Sequence, residues 1–316
     1  GGGSWWGDND DELSVKTIQR AIDLGIKWID TAPIYGLYHS EDVVGKAIKG
    51  KREQIILSTK CALEWRHETP VFHKEVDGTK VYRDLSKKSI IEDLDHSLLT
   101  LGTDYIDVLY THWQTTDKKL YPIEETMEAL NELVKSGKVR AIGASAMYGY
   151  QFYNMQLAAK EHGWTPFSTM ENHYNLLYRE DERELIPICK QMGVLLMPYS
   201  PLAAGHLTRP TWNTDTLRSK TDRVAMGKYD RMEEPDMHIV SRVQELAEKY
   251  NCKMSQIAIA WQWAKGIASP IIGVTKETYL DDAVGALDVK LTESDVAYLE
   301  EMYVPHPVVG AIKENP

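Results

Sequence analysis

The 316 residues carry 36 Lys and Arg against 47 Asp and Glu, a formal charge of −11, and 43% are hydrophobic. That apolar fraction is enough for a core and excludes a wholly disordered chain, while the acidic balance speaks against general affinity for nucleic acid or an anionic membrane, whose phosphates demand a basic surface. No apolar run approaches the roughly 20 residues of a membrane helix; Cys61, Cys189 and Cys252 lie too far apart for a disulfide framework or a zinc knuckle, so a reducing, cytoplasmic compartment is the default. The chain opens Gly1-Gly2-Gly3-Ser4-Trp5-Trp6, with no secretory signal in view.

Helix and strand patterns then alternate. Val15, Ile18 and Ile22 share a helical face that ends at Gly25, and residues 26–30 follow as a strand. A short helix over 41–49 precedes a strand over 54–59. Ile91, Leu94, Leu98 and Leu101 line a helix that Gly102 stops before a strand over 105–110. The same pairing repeats with a helix over 123–136 and a strand over 139–143, then helix 150–162 and strand 167–171, then helix 183–192 and strand 194–198. Beyond a polar, irregular stretch come helices over 238–250 and 255–265, a last strand over 270–273, and helices over 277–286 and 293–302. Thr292 and Asp295 make a capping-box pattern for the final helix.

Seven strands, each followed by helical sequence, imply a parallel sheet with right-handed crossovers. Eight such units close a (β/α)8 TIM barrel. The expectation is one such domain over 1–316, with loops 62–83 and 203–235 over the active rim and the first strand upstream of Gly1. An open doubly wound sheet is the alternative, though no GxGxxG follows a first strand.

In a barrel the reactive residues sit where strands end. The first three visible strands end in Asp30, with Tyr35 in the following loop, in Lys60 and in His112. A Lys and an Asp at adjacent strand ends are costly to bury unless paired. Any of the four alone has an ordinary structural explanation; together they point to a site.

The stretches DTAPIYG and HSEDVVGKAIKG (30–50), STK (58–60), SLLTLGTDYIDVLYTHW (97–113), PIEETMEALNELVKSGKVRAIGAS (122–145), ENHYNLLYRE (171–180), MPYSPLAAGHL (197–207) and PIIGVTKETYLDDAV (270–284) resemble the aldo-keto reductase family. The resemblance implies a barrel that reduces aldehydes and ketones with NAD(P)H, and it assigns a catalytic tetrad to Asp30, Tyr35, Lys60 and His112. Tyr35 would donate the proton, with the Lys60 charge lowering its pKa, Asp30 holding Lys60, and His112 orienting the carbonyl oxygen.

For the cofactor, the resemblance implies Ser145 at the nicotinamide carboxamide, with Ala146 following where the family often has Asn. Glu171 stands where Gln is usual and can accept from that amide but not donate unless protonated. Tyr199 would stack on the nicotinamide, and the backbone of Ser200, Leu202 and Gly205 would line the pyrophosphate. Gly273, Val274, Thr275 and Lys276 would meet phosphate at a helix start. Tyr279 falls where an Arg often holds the adenosine 2′-phosphate, and Asp282 would meet adenine. NADP(H) is favoured and NAD(H) stays open; no metal site is expected. Arg218, Lys220, Arg223 and Lys228 could fold over the cofactor. Trp6, Trp113 and Tyr148 are candidates for the pocket of a small-molecule carbonyl substrate, an aryl or aliphatic aldehyde or a sugar, with no nucleic-acid or membrane partner. Two alternatives stay open: a cofactor-bound regulatory subunit, similar to channel-associated proteins of this fold, and a barrel of another reaction class.

Overall fold

Three of the helices start where a short polar side chain, Asp10, Ser86 or Thr292, takes up an orphan amide, and two stop at a left-handed glycine, Gly102 or Gly163. The computed structural model describes residues 10–114, 119–212, 229, 232–274 and 277–308. In chain order its elements are α1 (Asp11–Asp23), β1 (Trp28–Asp30), α2 (His39–Ile48), β2 (Ile56–Cys61), β3 (Leu63–Glu64), β4 (Phe72–Val76), β5 (Thr79–Arg83), α3 (Lys87–Leu101), β6 (Ile106–Thr111), α4 (Ile123–Lys135), β7 (Val139–Ser145), α5 (Gly149–His162), β8 (Thr169–Glu171), α6 (Leu185–Gln191), β9 (Leu195–Leu196), α7 (Glu233–Lys249), α8 (Met254–Ala264), α9 (Thr278–Gly285) and α10 (Glu293–Glu300). Asp10 accepts from the Leu13 amide at 3.1 Å to start α1. Gly102 ends α3 at φ 65°, and Thr292 and Asp295 close the capping box ahead of α10.

Strands β1, β2, β6, β7, β8 and β9 pair in that order, all parallel, with helical sequence between successive members. This is the architecture of a (β/α)8 barrel. The register aligns Lys60 with Tyr110, Tyr110 with Gly143, and Gly143 with Thr169. Gly143 is needed there: a Cβ on it would lie 2.3 Å from the Tyr110 ring. The larger of two buried apolar clusters runs from Ile22 to Leu299.

Three expectations change. The last strand, over 270–273, is reduced to one parallel bridge between Tyr199 and Ile271; Pro270 has no amide to give a ladder, and the Ile271 amide donates to the Pro198 carbonyl at 2.8 Å. The helix over 183–192 is split into a 3-10 turn, Glu180–Arg183, and α6. The segment 62–83 is a small antiparallel sheet of order β3-β5-β4 rather than an irregular loop. Its hairpin turns at Asp77 (φ 49°) and Gly78 (φ 78°), the two positive φ values of a type I′ turn. No strand precedes α1 among the described residues.

At the N-terminal end of the sheet, Asp107 takes Arg52 at 2.7 Å and Arg140 at 2.9 Å, and accepts the Leu57 amide at 2.9 Å. The Tyr105 ring lies between the two guanidinium groups, 3.9 Å and 4.0 Å from them.

Candidate active site

At the opposite end, the tetrad residues meet. Lys60 is wholly buried, and its ammonium donates to Asp30 Oδ2 at 2.5 Å and to the Thr31 carbonyl at 3.0 Å. The Ser58 hydroxyl donates to the other Asp30 oxygen at 2.6 Å, and the Trp28 indole donates to Ser58 at 2.9 Å, so the carboxylate is held on both sides. Lys60 Nζ lies 5.2 Å from the centre of the Tyr35 ring. Tyr35 meets His112 edge to face, with ring centroids 5.8 Å apart, and the His112 amide donates to the Cys61 carbonyl at 3.0 Å.

Burial alone would strip the charge from Lys60, but Asp30 and Glu171 outweigh it and hold the ammonium well above its ordinary range. Burial together with the Lys60 charge keeps the His112 imidazole neutral. Tyr35 departs from expectation. Lys60 pulls the phenol down as anticipated, yet burial is the larger influence, aided by Glu171 and Asp30, and the net direction is up. The phenol therefore holds its proton at neutral pH.

Glu171 ends β8 beside Ser145 at the end of β7. Its Oε2 lies 3.3 Å from Lys60 Nζ at an angle that makes no hydrogen bond, and that oxygen is buried. Burial, reinforced by the charge of Asp30 against the pull of Lys60, pushes the carboxyl up to about 8. Lys60 thus faces two acids, not the single acid expected.

Backbone strain gathers at the same end. After the strands, Leu37, Tyr38, Ala62, Ala146, Ser200, Ala203 and Ala204 all have positive φ, a cost of order 1–3 kcal/mol each that packing must hold in place. Asn175 pins the Ser200 carbonyl at 2.9 Å and the Tyr229 hydroxyl at 3.0 Å. Tyr199 rests on His173, centroids 5.2 Å apart and rings 5° from parallel, and His173 rests in turn on Tyr178 at 4.2 Å. Leu202 packs on the core and Gly205 turns at φ 97°. A Cβ on Gly273 would meet nothing within 4 Å. Asp282 holds Lys253 at 2.6 Å, and Tyr279 is exposed. Thr275, Lys276, Trp6, Arg218, Lys220, Arg223 and Lys228 lie outside the described residues.

The β4–β5 hairpin supplies residues that the sequence did not single out. His73 packs on Trp113 with centroids 5.0 Å apart, and Trp113 stacks on His112 at 6.3 Å. Arg83 donates to His73 Nδ1 at 3.2 Å. Trp65, Trp113 and Tyr35 pack against one small apolar cluster of Ala32, Ile34, Leu63, Val76 and Val81. The signal was present as Asp77-Gly78 between two β-rich runs. Tyr148 lies at the start of α5, stacked on Tyr150 at 6.1 Å. Among the described residues, no three or more His, Cys, Asp or Glu side chains gather to hold a metal.

A nicotinamide cofactor fits these residues. The Tyr199–His173–Tyr178 stack makes a rigid base for a flat ring, Ser145 and the unpartnered Glu171 oxygen can meet a carboxamide, and the left-handed turn 200–205 presents backbone to a pyrophosphate. The model of the Aldo/keto reductase family matches residues 1–304. A Schizosaccharomyces pombe protein bearing the provisional name aryl-alcohol dehydrogenase is 42% identical over 97% of this chain and 90% of its own length. Versiconal hemiacetal acetate reductase of Aspergillus parasiticus is 40% identical over 96% of this chain and 90% of its own. The solved glycerol dehydrogenase of Gluconobacter oxydans superposes with a TM-score of 0.78 at 28% identity, covering 98% of this chain and 91% of that one.

Proposed function

Since the chain belongs to the aldo/keto reductase family of oxidoreductases, we propose that it reduces an aldehyde or ketone to the alcohol, with NADP(H) favoured over NAD(H), and that aryl aldehydes are its best substrates. The observation that carries the reading is that the Tyr35 ring lies within 5.2 Å of the Lys60 ammonium and 5.8 Å of the His112 ring at the strand ends. A bound nicotinamide supplies hydride to the carbonyl carbon. Tyr35 gives its proton to the carbonyl oxygen, Lys60 offsets the charge left on the phenolate, and Asp30 keeps Lys60 in place. Neutral His112 orients the oxygen by a hydrogen bond.

Ser145, Glu171, Tyr199, Ser200, Leu202, Gly205 and Gly273 are proposed to hold the cofactor, with Thr275, Lys276, Tyr279 and Asp282 toward its adenosine end. The wall of Trp65, Trp113 and Tyr35 favours a flat apolar substrate, as do relatives named for aryl alcohols. We further propose one domain over 1–316 and a cytoplasmic setting, which suits three free cysteines.

The test is to mix the protein with NADPH and, in turn, an aryl aldehyde, an aliphatic aldehyde and an aldose, following cofactor absorbance. Fastest consumption is expected with the aryl aldehyde. Tight NADPH binding with negligible turnover on all three would instead indicate a regulatory subunit. Lys276→Glu should weaken NADPH far more than NADH, because only NADPH carries the extra phosphate; equal weakening would remove Lys276 from the 2′-phosphate.

A further inference from the structure

One buried ammonium, Lys60, stands between two buried carboxyl groups: Asp30 Oδ2 at 2.5 Å and Glu171 Oε2 at 3.3 Å. With both acids ionised the cluster carries one uncompensated negative charge among buried side chains. Burying such a charge is costly, so the cluster either holds a proton on Glu171 or gains a cation. The groups facing Glu171 are Asp30 from β1, Tyr35 from the loop after it, Lys60 from β2, Tyr110 from β6 and Tyr199 from the segment after β9. The three phenols are all pushed upward by burial and stay neutral. His112 is held neutral as well. Glu171 is thus the member of the cluster left to change charge between acid and mildly alkaline pH.

The two redox forms of a nicotinamide differ in one respect that such a site can sense. The oxidised ring carries a positive charge and the reduced ring is neutral. A hydride donor serving a carbonyl bonded to Tyr35 must lie beside this cluster, a statement that rests on the proposed function. We propose that Glu171 is a charge sensor for the cofactor: ionised, it favours the oxidised nicotinamide, and protonated, it favours the reduced one, so that pH sets which form this enzyme retains. A Gln at this position could meet the same carboxamide but could not carry the charge, which separates a coupling role from a purely binding one.

The experiment measures dissociation constants of NADP⁺ and NADPH separately, without substrate, by quenching of tryptophan fluorescence from pH 6 to 9. The phosphates are common to both forms and cancel in the ratio. The ratio of the NADP⁺ constant to the NADPH constant should fall about 5- to 150-fold as pH rises, the usual span of a coupling between two sites. In Glu171→Gln it should be flat. A second measurement needs no variant: calorimetry near pH 7 in two buffers of different ionisation enthalpy should show proton release on binding NADP⁺ and none on binding NADPH. A flat ratio in the unaltered protein, the same slope in Glu171→Gln, or equal proton release for both forms would overturn the inference while leaving the reductase reading intact. Failure to bind either form would overturn both.

Discussion

The two ends of the sheet carry opposite versions of one arrangement. At the N-terminal end a single acid, Asp107, sits between two bases, Arg52 and Arg140. At the C-terminal end a single base, Lys60, sits between two acids, Asp30 and Glu171. The first is complete: Asp107 accepts from Arg140 and from the Leu57 amide and pairs with the Arg52 guanidinium at 2.7 Å, and Arg140 is 61% exposed, so water screens the surplus charge. The second is largely buried and incomplete, with Glu171 Oε2, Thr111 Oγ1 and Asn172 Oδ1 buried near the strand ends without hydrogen bonds. An ion triad that is satisfied and wetted holds strands together; one that is buried and unfinished leaves groups free to meet a ligand.

The largest effect expected of breaking this contrast is at the rim. Tyr35→Phe should lower turnover by about 10²–10⁴-fold, the scale of a lost general acid, with the fold and NADPH binding kept. Lys60→Met should do comparable damage, and the double variant should be little worse than either alone, because in the proposed mechanism both serve one proton transfer. Single-turnover kinetics check this; near-normal turnover in Tyr35→Phe would move the proton donor elsewhere, with His112 next in line.

At the floor the effect should be on stability alone. Asp107→Ala removes the acceptor of the Arg140 hydrogen bond and the ion-pair partner of Arg52, and denaturant unfolding should show a loss of roughly 1.5–3 kcal/mol with kcat unchanged. A fall in kcat at full folding would mean that the two ends are not independent.

Glu171 sharpens the comparison through pH. Its carboxyl binds a proton more tightly in the folded protein than in the unfolded chain, so between its unfolded value and about 8 the native state holds more protons. Its contribution to stability must therefore fall as pH rises through that window. Glu171→Gln should flatten the decline in melting temperature between pH 5 and 8 and be more stable than the parent at the alkaline end; an unchanged slope would show that Glu171 is ionised throughout.

The smallest effect belongs to an exposed pair. Lys253→Ala releases Asp282 from a 2.6 Å contact in which the lysine side chain is 64% exposed, and thermal unfolding should change by less than about 1 kcal/mol. If NADPH binding changes instead, Asp282 meets the adenosine end, as the family pattern implies.

Alternation of β-rich and amphipathic segments was enough to read the barrel, because the sheet period and the helix period are written in local order. The last strand was overestimated because Pro270 withholds an amide, a defect visible only once Tyr199 and Pro198 lie beside Ile271. Segment 62–83 was read as a loop although Asp77-Gly78 marked its turn; its strands pair only with one another, and their faces carry no clean alternation to announce them.

Asp30, Tyr35, Lys60 and His112 were legible as strand-end residues, since the fold delivers every strand end to one rim. The direction of the Tyr35 shift was not legible, because burial is a sum over neighbours from many segments and here exceeds the single charge that sequence could name. Glu171 stood out in the sequence as an acid in an amide's place. That it shares Lys60 with Asp30 was decided by the tertiary structure, which brings the ends of β1, β2 and β8 within contact although they are far apart along the chain. Residue type is local and so belongs to the sequence; the charge a residue carries depends on the field of everything folded around it.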